Sequence, residues 1–277
     1  MQQKNLPWKT VIISGATRGI GARTAQRYSR AGWRVVCLGR DKKQLAETLA
    51  DLPGQGHVLW SGDLTDNASA KKLSSFLNKN LLEGAQQLIC NAGINHIGSL
   101  VETDIEKARL VMDTNYIANL ILVKSTLPLL HRSVKCGYDT RILFVSSIVG
   151  VLGVPRRGVY SASKWALEAL AATLRVEMID FGIKVQIIRP AGVSTDFHHN
   201  TPTDAKTPKS SISVRSPEQI ADKIFKLTHL KQYSMAPGFL NAGIQWLGRH
   251  FPGSLVSGMY KKFRKEAMGI ELAGKKE

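Results

Sequence analysis

Short apolar and β-branched runs alternate along the chain with stretches whose apolar residues recur at helical spacing. Thr10–Ser14, Arg34–Leu38, His57–Trp60, Gln87–Cys90, Arg141–Val145 and Lys184–Ile188 predict six strands, and Gln232–Met235 a weaker seventh. Between them, Ile20–Ala31, Asp41–Asp51, Ala68–Leu82, Ile105–Leu130 and Val159–Asp180 predict helices. Strands this apolar, each followed by a helix, need both faces of their sheet covered. The pattern therefore predicts an α/β fold with a doubly wound parallel sheet of about seven strands. Ligands of such sheets bind beyond the carboxyl ends of the strands, so functional residues are expected just after them.

No linker interrupts the alternation, and residues 1–235 read as one unit. Within it, residues 197–216 are rich in Thr, Pro, Ser and Lys without periodicity, which predicts a lid loop. Ser216 followed by Pro217 predicts the N-cap of a further helix. Residues 236–277 form a C-terminal extension carrying Phe239, Leu240, Ile244, Trp246, Leu247, Phe251, Leu255, Val256, Met259 and Tyr260, then Lys261, Lys262, Arg264 and Lys265. Apolar and aromatic side chains beside a basic cluster suit an interfacial membrane segment. A tail folded onto the body, or a subunit contact, explains the same residues equally well.

The 277 residues are 43% apolar and 21% charged, as in ordinary globular proteins. No apolar run is long enough to span a bilayer, and Met1–Lys9 lacks the apolar core of a signal peptide. Cys37, Cys90 and Cys136 are scattered, without metal-ligand spacing; they predict buried apolar residues in a reducing, cytoplasmic compartment. No metal is expected, and His198-His199 reads as loop composition. The net charge of +17 attracts polyanions. The basic residues are dispersed and no nucleic-acid motif accompanies them, so specific nucleic-acid recognition is not expected. A generally basic proteome or a membrane-facing surface explains the charge as well.

The first strand ends in Ser14-Gly15-Ala16-Thr17-Arg18-Gly19-Ile20-Gly21. Glycines at a strand–turn–helix junction let a phosphate approach the backbone, and the helix N-terminus offers unpaired N–H groups. The spacing is Gly-x-x-x-Gly-x-Gly. Arg40 ends the second strand; with Arg18 it would hold a 2′-phosphate, which favours NADP(H). The neighbouring Asp41 keeps NAD(H) open as the lesser alternative. Asp63 follows the third strand and could accept an adenine amino group or merely end the strand. Asn91-Ala92-Gly93 follows the fourth and would let a cofactor lie close. Tyr160 and Lys164 stand four residues apart on one helix face. An ammonium there would lower the phenol pKa and suit it to acid–base work.

Gly15, Gly19, Gly21, Asp63, Asn91-Ala92-Gly93, Asn115, Ser146-Ser147, Tyr160, Lys164 and Arg189-Pro190-Ala191-Gly192 occur in one order and spacing. In that conjunction the chain resembles the short-chain dehydrogenases/reductases, from about Thr10 to Asp196 and more loosely to residue 235. The resemblance implies a Rossmann-like fold and a catalytic set of Asn115, Ser147, Tyr160 and Lys164. Ser147 rather than Ser146 matches the family's spacing to the tyrosine. Tyr160 would be the general acid/base and Ser147 the carbonyl polariser. Lys164 would hold the nicotinamide ribose and tune Tyr160, and Asn115 would place a relay water. Cofactor contacts are implied at Gly15, Thr17, Arg18, Gly19, Ile20, Gly21, Arg40, Asp63, Leu64, Asn91, Ala92, Gly93, Tyr160, Lys164, Pro190, Gly192, Val193 and Thr195.

The chemistry so implied is hydride exchange between a nicotinamide and a ketone or secondary alcohol. The apolar tail resembles those of family members that act on lipophilic carbonyls, such as hydroxysteroid dehydrogenases and ketosphinganine reductases. A 3-oxoacyl reductase of fatty acid synthesis is the first alternative, and a non-catalytic nucleotide-sensing scaffold the second. A homodimer or homotetramer is the family's usual assembly.

Overall fold

The computed structural model describes residues 9–194 and 214–251, together with Gly253 and Gly258. Its strands are β1 (Thr10–Ser14), β2 (Arg34–Gly39), β3 (Val58–Ser61), β4 (Gln87–Cys90), β5 (Thr140–Val145), β6 (Ile183–Ile188) and β7 (Ser234–Met235). They form one sheet in the order β3-β2-β1-β4-β5-β6-β7, with every pairing parallel. This is the doubly wound Rossmann-like sheet expected. Strand order reverses direction between β1 and β4, which opens a crevice at their carboxyl ends.

The helices are α1 (Gly19–Arg30), α2 (Lys42–Ala50), α3 (Asn67–Asn80), α4 (Ile105–Met112), α5 (Ala118–Lys135), α6 (Gly158–Glu177), α7 (Pro217–Leu227) and α8 (Phe239–His250). Strand side chains alternate between faces and feed two cores. Ile12, Val36, Leu38, Leu88, Ile142, Phe144 and Ile187 pack under α3, α5 and α6. Val11, Ile13, Val35, Ile89, Leu143 and Ile188 pack under α1, α2 and α7. Cys37 and Cys90 are buried in these cores as small apolar residues, and burial pushes the Cys37 thiol up to about 12.

Three elements depart from expectation. The single helix predicted over Ile105–Leu130 is two α-helices joined by a π-helical turn, Asp113–Ile117. Such a turn interrupts the regular ladder where a side chain is diverted to a function; here that side chain is Asn115. The seventh strand shrinks to Ser234–Met235, joined to β6 where the carbonyls of Tyr233 and Met235 accept Ile187 N–H and Arg189 N–H. The first part of the C-terminal extension, Phe239–His250, forms α8 in spite of Gly243 and Gly248, and most of the rest lies outside the described residues. The cap at Ser216 is present as a full capping box with Gln219.

Candidate active site

The parallel register aligns the ends of the strands. Ser14 pairs with Leu38, Leu38 with Trp60, Cys90 with Phe144, and Val145 with Ile188. The residues just beyond, from Gly15, Arg40, Asp63, Asn91, Ser147 and Pro190, therefore lie along one edge of the sheet.

Two side chains tie the β1 and β4 ends together. Ser14 Oγ accepts the N–H groups of Asn91 and Ala92, each at 3.0 Å. Asn91 Nδ2 donates to the carbonyls of Ser14 and Gly15 at 3.0 and 3.2 Å. The glycine turn crowds against this knot. Gly15 has φ of +65°, and a Cβ on Gly21 would lie 2.0 Å from Gly15 O. The N-terminus of α1 behind it differs from those of α2, α3 and α4. Those three are capped by Asp41, Asp66 and Asp104, whereas Arg18 gives α1 no side-chain cap and its first turn holds no acid. A close backbone approach and an uncapped positive helix end fit a pyrophosphate.

Around it stand the other expected cofactor residues. Arg40 Nη1 is 4.0 Å from Asp63 Oδ2, with the Arg40 side chain 61% exposed. Asp63 accepts both the N–H and the hydroxyl of Thr65, at 2.9 and 2.8 Å, while Leu64 is buried beneath. Asp41 is committed elsewhere: its carboxylate accepts Gln44 N–H at 3.0 Å and Gln44 Nε2 at 2.9 Å. Thr17 packs its methyl by Gly39, and Ile20 packs on the core. Pro190 O accepts Ile148 N–H at 2.9 Å, and Val193 and Gly192 pair with Arg215. Thr195 and most of the predicted lid lie outside the described residues.

The four residues of the implied catalytic set converge. Ser147 caps the short 3₁₀ turn Ile148–Gly150, and its side chain is hydrogen-bonded to the Tyr160 phenol. Tyr160 sits in the first turn of α6 amid Ile148, Val149 and Leu152, with Ala191 and Ile244 beside them. Lys164 Nζ donates to Val145 O at 3.1 Å, and a Cβ on Gly93 would come within 3.4 Å of it. Asn115 Oδ1 accepts Ile94 N–H at 2.7 Å, and its Nδ2 donates to Ile94 O and Ser163 Oγ at 2.8 and 2.9 Å. A side chain at 93 would thus press on Asn115 Oδ1, 3.0 Å from its Cβ.

The electrostatics correct one expectation. Lys164 Nζ lies 5.8 Å from the centre of the Tyr160 ring. Burial pushes Tyr160 up to about 12, opposed first by the Ser147 hydrogen bond and then by the Arg157 guanidinium. Burial also brings Lys164 down to about 8, opposed by Glu168. Withdrawal from water disfavours both charged forms, and in each case it outweighs the neighbouring group that opposes it.

Sequence reasoning missed several residues that build this site: Ser14, Ser163, Asn119, Arg157, Glu168 and α8. Ser163 was legible in principle, since it lies three residues after Tyr160 and donates to its carbonyl at 2.8 Å. Asn119, one turn after Asn115, donates to the Asn115 carbonyl at 2.8 Å. The sequence marked Ile244 as part of an apolar extension that could fold onto the body, but not that it forms α8 and reaches the site.

Comparisons with known proteins agree with this geometry. The short chain dehydrogenase family model matches residues 9–206. Dehydrogenase/reductase SDR family protein 7-like of Drosophila melanogaster is 30% identical, across 99% of this chain and 85% of that protein. Dehydrogenase/reductase SDR family member 7B of Mus musculus is 31% identical, across 92% of this chain and 81% of that protein. Among solved structures, a short chain dehydrogenase from Burkholderia cenocepacia in complex with NADP superposes with a TM-score of 0.76 at 21% identity, covering 94% of this chain and 99% of that one.

Proposed function

Because this chain belongs to the short-chain dehydrogenase/reductase family of nicotinamide-dependent oxidoreductases, we propose that it exchanges hydride between NADP(H) and a lipophilic ketone or secondary alcohol at an anionic membrane surface. The observation that carries this reading is the buried contact of Ser147 with Tyr160, lined by Ile148, Val149, Leu152 and Ile244. An apolar wall around two hydroxyl donors suits a carbonyl on an apolar skeleton.

The bound nicotinamide supplies the hydride. Ser147 and Tyr160 donate hydrogen bonds to the substrate oxygen, where negative charge develops in reduction. A phenol held near 12 is fully protonated at neutral pH, and so it is a ready donor to that oxygen. Lys164 would hold the nicotinamide ribose, and Asn115, which ties the segment after β4 to α6 through Ile94 and Ser163, would serve the proton relay. For the cofactor, the exposed Arg40, with Arg18 in the turn, supports a 2′-phosphate. The engagement of Asp41 by Gln44 counts against a 2′-hydroxyl acceptor there. The Burkholderia neighbour's NADP agrees with this choice.

The membrane part rests on α8, which exposes Phe239, Leu240 and Trp246 and carries Arg249 and His250 in its last turn. Among the described residues no helix is long and apolar enough to cross a membrane. The contact proposed is a peripheral one, made by this face of α8.

The test is a panel of ketones of rising lipophilicity, with NADPH or NADH followed by absorbance, with and without anionic vesicles. Preferential NADPH consumption with long-chain or steroid-like ketones, faster with vesicles, is expected. Turnover only of soluble acyl-carrier thioesters, with no sedimentation on vesicles, would replace this reading by the 3-oxoacyl reductase.

A further inference from the structure

One buried ion pair that the proposed reaction leaves unused stands at a junction of the site. Glu168 lies four residues after Lys164, on the same face of α6 one turn on. Arg189 directly follows β6 and precedes Pro190. Its Nε donates to Glu168 Oε1 at 2.8 Å and its Nη2 to Oε2 at 2.6 Å, a two-pronged grip. The two side chains are only 11% and 14% exposed.

Each partner reaches another element of the site. A Cβ on Gly150 would lie 3.2 Å from Glu168 Oε1 and 2.6 Å from Ser146 Oγ, so the carboxylate abuts the turn that Ser147 caps. The Arg189 carbonyl accepts Asn241 Nδ2 at 3.2 Å and Gln245 Nε2 at 3.3 Å, two buried amides of α8. Withdrawing both ions from water is costly, and apolar residues of equal size would fill the same space at less cost. Packing alone is therefore a poor account of the charges.

We propose that Glu168 and Arg189 are positioning residues: the pair clamps the Pro190 segment and α8 to α6, and sets its carboxylate one helical turn from the Lys164 ammonium. The proposal rests on the reading above, in which Lys164 acts as a cation toward the ribose. Glu168 is the group that opposes the effect of burial on Lys164. The other titratable or charged groups facing this region are Tyr160 and Arg157 at the start of α6, Arg189 itself, and Tyr233 ahead of β7 with Arg175 over its ring. The π turn and the β4 end present Asn115 and Gly93, which do not titrate.

Glu168→Gln keeps the shape and removes the charge. In the unliganded protein, the Lys164 titration followed by ¹⁵N NMR should move down by about one pH unit. The NADPH Kd should rise about tenfold, and the basic limb of kcat should move down with the lysine. Arg189→Met leaves Glu168 unpaired and should move the Lys164 midpoint up. The reversal, Glu168→Arg with Arg189→Glu, should recover Tm and α8 protection from hydrogen exchange but not the Lys164 midpoint. A lowered Tm with an unmoved midpoint in the first two variants, or recovery of the native midpoint by the reversal, would overturn the proposal. If the chain turns over no ketone, the reading above fails, while the NMR titration still decides the coupling.

Discussion

Helices α6 and α8 close on the same pocket with opposite sidedness. The buried face of α6 carries Tyr160, Ser163, Lys164, Leu167, Ala171 and Leu174, so its polar groups occupy the site end and its aliphatic groups anchor the rest. In α8 the amphipathic order is inverted. Asn241 and Gln245 are buried, whereas Phe239 is 99% and Trp246 58% exposed. A helix is ordinarily held by its apolar face. The inward contacts of α8 are two amide hydrogen bonds to Arg189 O and the packing of Ile244. Hydrogen bonds of this kind contribute about 0.5–1.5 kcal/mol each. The proposed chemistry therefore sits on a helix held by its core, and the proposed membrane contact on one whose aromatic residues are exposed among the described residues.

The sharpest way to break the contrast is at Tyr160. Under the proposed mechanism Tyr160→Phe keeps the ring among Ile148, Val149 and Leu152 and removes the proton donor. Turnover should fall roughly 10²–10⁴-fold, with NADPH binding retained. Stopped-flow absorbance gives the first quantity and cofactor fluorescence titration the second. Unchanged turnover would assign the proton to another group and remove α6 from the chemistry.

The same contrast explains what the sequence made legible. Six strands, the sheet class and the residues on α6 could be read because strand periodicity and an i, i+4 pair are local properties. The glycine turn was legible because the positive φ of Gly15 and the contact between Gly21 and Gly15 O demand that residue type. The π turn was not, since it depends on Asn115 finding Ile94, 21 residues away in sequence. The rise of the Tyr160 pKa was not legible either: spacing places Lys164 nearby but says nothing about how much water burial removes. The fold-back of α8 needed Asn241 and Gln245 to meet Arg189 O across more than fifty residues. The apolar pattern left open whether these aromatics face a membrane or the body, because the buried amides that decide it carry no apolar signal.

The second test acts on the outward face of α8. Phe239→Ser with Trp246→Ser removes two exposed aromatics and touches neither inward amide. Binding to anionic vesicles should weaken about tenfold, and turnover of soluble ketones should be unchanged. Sedimentation at matched protein concentration measures the first. If vesicle binding survives, the basic surface rather than α8 makes the contact. If the double variant loses activity on soluble ketones, the outward face supports the pocket, and the division between the two sides of α8 is wrong.

The finest test returns to α6 and uses pH alone. Burial brings Lys164 from 10.5 to about 8. Below about pH 8 the folded chain therefore carries a buried ammonium that the unfolded chain would solvate, a destabilising contribution on the order of 3 kcal/mol. Between about 8 and 10.5 the folded lysine is already neutral while the unfolded one still binds its proton. The unfolded state then holds more protons, and this group makes stability rise with pH until the contribution has vanished. Lys164→Met lacks that rise. Its Tm minus that of the parent should accordingly fall by several degrees as pH is raised from 8 to above 10. The lost bond to Val145 O offsets the comparison by a constant and leaves its slope intact. A flat difference across that window would mean that Lys164 keeps its ordinary proton affinity inside the fold. In that case the ammonium needs no help from Glu168.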